Sequence, residues 1–241
     1  MSTFLLVHGA WHDGRSWDRV TPLLAAAGHR VFAPSLTGHG DRAALLSPEV
    51  GLDTHAGDVV RLILDEDLTD VVLVGHSYAG LVVSSAANQV PDRIAHLVYL
   101  DAMVPEDGES AADIMPVTQL LIDQAAQTPT PWRIPPLPEM PPPAGLFGVT
   151  DPADKAWLRT MMSDESVLCF QQPAHLDNPA LATVPRTHIH NVGDAAGRLP
   201  RRPVPALQPN GTPSQVRDLP TGHDSMITMP YELAELLLEL A

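Results

Sequence analysis

Val71-Val72-Leu73-Val74-Gly75-His76-Ser77-Tyr78-Ala79-Gly80 is the stretch on which the fold turns. Four apolar residues, three of them β-branched, fit a short buried strand. Leu81 to Asn88 then reads as a helix. Between them stands a serine on a sharp strand-to-helix turn, lifted into solvent on a strained backbone. Small residues two before and two after it let the chain bend that tightly. This is the nucleophile-elbow arrangement G-x-S-x-G, with Ala79 in place of the last glycine and small enough to fit there.

Working outward, strands and helices alternate. The patterns predict strands over Thr3–Val7, Arg30–Pro34, Val71–Val74 and Ile94–Leu100. Helices are predicted over Ser16–Ala27, stopped by Gly28, then Asp53–Leu64 with Asp53 or Thr54 as cap, and Tyr78–Gln89. Such alternation implies a mainly parallel sheet covered on both faces, an α/β fold. The rhythm breaks at about Val104 and resumes with a strand at Thr187–Val192. In between, Ala111–Ala126 and Pro152–Met162 read as helices around the proline-dense Pro129–Pro143. Trp132, Ile134, Leu137, Met140, Leu146 and Phe147 make this region too apolar for a solvated tether. The organisation expected is therefore a core of residues 1–103 and 185–241 with an inserted lid, 104–184. After the proline-rich Leu199–Pro213, Gln215–Leu219 reads as a last strand and Tyr231–Leu240 as an amphipathic helix.

The 241 residues are 44% apolar, enough for one domain with a sizeable core. The formal net charge is −15 and Lys155 is the only lysine, which argues against nucleic acid or an anionic membrane surface as partner. No stretch approaches the roughly 20 apolar residues that span a bilayer. The N-terminus lacks the basic region of a signal peptide, so a soluble, cytoplasmic protein is expected. Cys169 is the single cysteine, so no internal disulfide can form, and its surroundings read as a small buried hydrophobe rather than a nucleophile. A homodimer stays open.

A serine hydroxyl needs a base, usually histidine, oriented by a carboxylate. Among eleven histidines, His223 in Leu219-Pro220-Thr221-Gly222-His223-Asp224 lies just past the last strand, where a loop reaches back over the sheet edge. Asp194, after Thr187-His188-Ile189-His190-Asn191-Val192-Gly193, is the first choice of acid. Asp101, ending Tyr99-Leu100-Asp101, competes. The oxyanion needs two backbone N–H donors: Tyr78, after the nucleophile, and Ala10 in the loop Val7-His8-Gly9-Ala10-Trp11-His12-Asp13-Gly14. Gly9 lets that backbone pass close to substrate, and no G-x-G-x-x-G is present to suggest a nucleotide. His76 points away from its neighbour Ser77 and is not read as the base. His12 is expected to support the oxyanion loop and His39 to close a turn. His188 and His190 read as structural polar positions rather than a metal pair.

Together these stretches resemble the α/β-hydrolase superfamily, in the small branch of bacterial esterases, plant methylesterases and hydroxynitrile lyases. The likeness is carried by Phe4–His12, Pro22–His29, Val74–Gly80, Tyr99–Ala102 with Val104–Gly108, and Gly222–Asp224, and spans nearly the whole chain. It implies the α/β-hydrolase fold, a compact helical lid after Asp101, no cofactor and no metal. The chain order serine, acid, histidine fits it, and the plant methylesterase pattern lays the acid on Asp194 without a gap. The lyases of the branch carry threonine at the position of Gly9 and lysine at that of Asp224, so lyase activity is not expected. The proline-rich stretch after Asp194 departs from the family's helix there.

The sequence thus points to a serine carboxylesterase acting on a small-molecule ester, with Ser77, His223 and Asp194 (or Asp101) as triad and Ala10 and Tyr78 as oxyanion donors. Gly9, Trp11, His12, Trp132, Leu146 and Phe147 are expected around the substrate. The alternatives are a biosynthetic enzyme acting on a lactone, thioester or C–C bond, and a non-catalytic binder on the same scaffold.

Overall fold

The computed structural model describes residues 1–193 and 201–241. Six parallel strands form the central sheet: β1 (Thr3–Val7), β2 (Arg30–Phe32), β3 (Val71–His76), β4 (Ile94–Leu100), β7 (Arg186–Asn191) and β8 (Gln215–Leu219). Two short strands, β5 (Arg133–Ile134) and β6 (Glu165–Ser166), pair antiparallel outside it. The sheet order is β2-β1-β3-β4-β7-β8. β1 sends one connection out to β2, and β3 lies on its other flank. The order therefore reverses between β1 and β3, and the crevice beyond their carboxyl ends is where open α/β sheets bind ligands.

The inner strands are nearly continuous apolar runs because both faces are covered. Their side chains alternate between two cores. Leu5, Val7 and Leu73 face one, with Val59 and Ile63 of α2 (Leu52–Asp65) and Leu81 and Val82 of α3 (Ala79–Gln89). Phe4, Leu6, Val72 and Val74 face the other, with Leu24 of α1 (Thr21–Ala26) and Leu233 and Leu237 of α9 (Pro230–Leu238). Gly28 stops the first helical segment in a left-handed conformation (φ +90°). That segment begins later than its spacing predicts: Gly14–Trp17 is a separate 3₁₀ turn. The N-cap of α2 is Gly51, with the Thr54 hydroxyl accepting from its N–H at 3.3 Å, rather than Asp53 or Thr54.

Between β4 and β7 the chain forms α4 (Ala111–Ile114), α5 (Pro116–Ala125), β5, α6 (Pro152–Arg159), β6 and α7 (Val167–Gln171). The single helix expected over Ala111–Ala126 is two, because Pro116 has no N–H to continue α4 and Met115 before it is extended. The proline-dense segment contributes strand β5, which the pattern does not predict. After β8 come α8 (Ser225–Thr228) and α9. Among the described residues no helix is long and apolar enough to cross a membrane.

Candidate active site

β3 delivers Ser77 at the carboxyl edge of the sheet with φ +56°, a left-handed state that costs a non-glycine residue energy. Three bonds hold it there: Ser77 N–H donates to Leu100 C=O (3.2 Å), and the N–H groups of Met103 (3.0 Å) and Gly80 (3.1 Å) donate to Ser77 C=O. Gly75 and Gly80 make the turn feasible. A Cβ at Gly75 would lie 2.6 Å from Ala79 C=O oxygen, and one at Gly80 1.9 Å from that of Met103. The close approach thus falls at Gly80, one residue beyond the place where the motif tolerates alanine.

Ser77 lines a cavity of about 250 Å³ together with Ala10, Tyr78, Asp101, Phe147 and His223. Among the described residues, six non-glycine residues have positive φ, and four of them, Trp11, Ser77, Asp101 and Phe147, line this cavity. Strain is concentrated where positioning matters. Neither Ala10 N–H nor Tyr78 N–H has an acceptor among the described residues, so two backbone donors stand unused beside Ser77. Ser77 Oγ likewise has no partner among them, and triads commonly tighten only with substrate bound.

His223 Nδ1 donates to Asp101 Oδ2 at 2.6 Å. The ionised carboxylate can only accept, so the pair fixes Nδ1 as the protonated nitrogen and leaves Nε2 free. Burial opposes ionisation of Asp101. The hydrogen bond and charge of His223, with the Arg201 guanidinium, outweigh it and hold the carboxyl below its ordinary range. Arg201 donates to Asp101 Oδ1 through Nε (3.0 Å) and Nη2, and Asn191 N–H reaches the same oxygen (3.4 Å). Asp194, the first choice of acid, lies outside the described residues. The His223 backbone is pinned as well, its C=O accepting from Asn191 Nδ2 (2.7 Å) and His76 Nε2 (3.1 Å). His76 therefore supports the histidine loop. Its own pKa is pushed well down, by burial first and then by the charges of His223 and His12.

His12 sits beneath the Ala10 loop, its Nδ1 donating to Ala10 C=O (2.7 Å) and its Nε2 to buried Asp224 (3.0 Å). Burial lowers the His12 pKa, but the Asp224 charge and hydrogen bond prevail and raise it. Asp224 is thus spent on His12 and does not line the cavity. His39 does more than close a turn: it reaches the insertion, with Nδ1 at Ser163 Oγ (2.9 Å) and Nε2 at Glu165 (3.2 Å). Cys169 is buried, and burial pushes its thiol well up. His188 stacks on Tyr99.

Of the expected substrate wall, Trp11 and Phe147 line the cavity, while Trp132, Leu146, Gly9 and His12 do not. Trp132 is half-buried outside it, its ring under the Arg133 guanidinium. Leu146 faces the second core, because adjacent residues in this turn point opposite ways and Phe147 takes the cavity. Gly9 lies behind Ser77, where a Cβ would come within 2.9 Å of Ser77 Cβ. Met103, Met115, Leu121 and Leu137 supply wall that the sequence reading missed. Isolated apolar residues of an insertion carry no signal of which way they face.

Among the described residues, two clusters each bring three possible ligand atoms within 4.8 Å of one another: His39, His55 and Glu165, all buried, and His76, His223 and Asp224, of which His223 is half-buried. In the first, Glu165 faces His39 Nε2 at 3.2 Å, and in the second Asp224 is already bound by His12 at 3.0 Å.

A family model for the alpha/beta hydrolase family matches residues 4–236. A carbendazim hydrolyzing esterase from Nocardioides sp. (strain SG-4G) is 38% identical over 246 residues, covering all of both chains. Methylesterase 10 of Arabidopsis thaliana is 26% identical over 261 residues, 99% of this chain and 91% of that one. Among solved structures, an extracellular α/β-hydrolase from a Paenibacillus species superposes with TM-score 0.78 at 26% identity. It covers 100% of this chain and 99% of its own, and is described as sharing structural and functional homology with tobacco salicylic acid binding protein 2.

Proposed function

The chain belongs to the α/β-hydrolase family, and we propose that it cleaves small, uncharged carboxylic esters through an acyl-enzyme on Ser77. Ser77 Oγ attacks the ester carbonyl carbon as His223 Nε2 takes its proton. Asp101 holds His223 in the tautomer that can accept, and steadies the imidazolium. The carbonyl oxygen becomes an oxyanion between the N–H groups of Ala10 and Tyr78, a stabilisation worth roughly 10²–10³ in turnover per donor. The tetrahedral adduct expels the alkoxide, which takes the proton from His223. Water then attacks the acyl group, giving its proton to His223, and the second adduct releases the acid and restores Ser77.

The observation that carries this reading is the meeting, in one cavity, of the strained serine, the His223–Asp101 hydrogen bond and two unused backbone donors. No lysine or arginine among the described residues lines that cavity, and its walls are Met103, Met115, Leu121, Leu137, Phe147 and Phe170. Such a surface suits an apolar acyl or alkyl group and offers a polyanion nothing. Gly9, where a threonine would press on Ser77, and the engaged Asp224 both weigh against cyanohydrin cleavage. A cytoplasmic location belongs to the same reading, with Cys169 free.

The test is hydrolysis of p-nitrophenyl butyrate and laurate by wild type and Ser77→Ala. Butyrate is expected to be the better substrate, and Ser77→Ala to abolish turnover of both. Equal rates for the two proteins would refute the assignment.

A further inference from the structure

Trp11 follows the donor Ala10, and the insertion holds all three of its polar groups. Its N–H donates to Glu165 Oε2 (3.4 Å), its C=O accepts from Ser163 N–H (2.9 Å), and its indole Nε1 donates to Ile134 C=O (3.1 Å). The backbone so gripped is left-handed (φ +65°), a state tryptophan does not favour unaided. The peptide group joining Ala10 to Trp11 is rigid, and it is held at both ends. His12 Nδ1 binds its C=O from below, and Glu165 binds its N–H from the insertion.

Glu165 is completely buried, yet ionised. Burial would raise its pKa, but the charge and hydrogen bond of His39, with His55 and a Cys169 hydrogen bond, bring it down to about 2. Its two oxygens accept from Trp11 N–H on one side and Ser166 N–H (3.1 Å) on the other, with His39 Nε2 at 3.2 Å. His39 in turn meets Ser163 Oγ at 2.9 Å, closing the contact between the insertion and the sheet. A buried carboxylate is costly to keep unless it does something an apolar residue could not.

We propose that Glu165 is a positioning residue for catalysis: by fixing the Ala10–Trp11 peptide from the insertion, it aims the Ala10 N–H at the oxyanion. The inference rests on Ala10 serving as an oxyanion donor. It makes the insertion part of the catalytic machinery, since an insertion displaced from Trp11 would leave the hole misaligned.

The substitution Glu165→Gln is isosteric but offers one acceptor where the carboxylate has two, so Trp11 and Ser166 cannot both be served. Wild type and Ser77→Ala are assayed first. An inactive wild type, or an active Ser77→Ala, sinks the ester-hydrolase reading itself rather than the role of Glu165. In the folded Glu165→Gln protein, kcat for p-nitrophenyl butyrate is expected to fall roughly 10–100-fold, with KM within about threefold of wild type. Inhibition by an alkyl trifluoromethyl ketone, whose adduct with Ser77 carries an oxyanion, should weaken by the same factor as kcat/KM. A merely structural role would lower thermal stability without separating kcat from KM. A kcat loss below about tenfold, or a loss carried by KM alone, overturns the proposal. Should the variant not fold, the wild type decides. With ¹⁵N-tryptophan, the Trp11 amide, identified by its disappearance in Trp11→Phe, is expected to be protected from exchange and to shift when the ketone binds. Exchange at the rate of a free peptide, or no shift, refutes it.

Discussion

Replacing Asp101 by asparagine tests the triad most directly, because the surrounding bonds decide how the new amide must sit. Arg201 and Asn191 N–H both donate to Oδ1. The amide oxygen is therefore drawn to that side, and the NH₂ group is turned toward His223 Nδ1, 2.6 Å away in the native pair. A donor facing Nδ1 requires Nδ1 to accept, so the proton moves to Nε2. Nε2–H cannot take the proton of Ser77, and the base is lost while every heavy atom stays in place. The equivalent change in a serine triad costs about 10⁴ in kcat, or about 5 kcal/mol at 1.36 kcal/mol per tenfold.

Asp194→Asn is the paired measurement. With Asp101 as the orienting acid, Asp194→Asn should leave kcat within about threefold of wild type. The assay is p-nitrophenyl butyrate hydrolysis, with thermal melts to confirm folding. A folded Asp101→Asn protein within tenfold of wild type, alongside an Asp194→Asn protein reduced a thousandfold, would overturn the argument and give the role to Asp194.

Further expectations follow from the packing and the buried charges. Gly80→Ala sets a Cβ against Met103 C=O at 1.9 Å and should cost more than about 2 kcal/mol in urea unfolding. Gly57→Ala, mid-helix in α2 with only Arg61 Nη1 at 3.4 Å, should instead gain about 0.5–1 kcal/mol; the reverse ranking would refute the reading. Asp224→Ala removes the charge that keeps His12 protonated and leaves a buried ring nitrogen without its partner, and should cost about 1–3 kcal/mol; an unchanged melting temperature would count against the pair. Glu165 has a folded pKa of about 2 against an ordinary 4.5, so its stabilisation is fully present above the unfolded value and lost as pH falls toward the folded one. The stability advantage of wild type over Glu165→Gln should therefore shrink by about 2 kcal/mol between pH 5 and pH 3, measured by urea unfolding. A constant difference would refute the depressed pKa.

How much of this was legible in the sequence depends on the range of each interaction. Val71–Gly80 specifies strand, turn and helix within ten residues, through apolar runs and small residues acting on near neighbours. The same holds for the four strands from Thr3 to Leu100. The acid is different. Asp101 and Asp194 both follow strands, both precede His223, and nothing local says which one the His223 ring will meet. That depends on the sheet order, which sets β4 between β3 and β7 and so brings Asp101 beside both Ser77 and Asn191. The wall residues failed for a related reason. Trp132 is apolar and large, but its direction is set by the pairing of β5 with β6, a two-residue ladder with no periodic signal.

Glu165 extends that reasoning. In Asp164-Glu165-Ser166 nothing local marks it out from the chain's other acids. The fold instead seals it behind Trp11, against His39, where its charge matters most. The insertion reaches the site on two sides. Phe147 C=O accepts from Asp224 N–H (3.0 Å), and a Cβ on Gly148 would strike Gly222, so one arm braces the loop of the base. Ile134, Ser163 and Glu165 hold Trp11, so the other braces the oxyanion loop. In the proposed mechanism Ser77 and the donors Ala10 and Tyr78 lie just past strand ends and are locally encoded, while the acid is not. The residues that set their angles come from a segment whose own sequence has no regular period. Substrate range can therefore change through the apolar face of the insertion only where these two braces stay intact, since the same segment both shapes the cavity and aligns its donors.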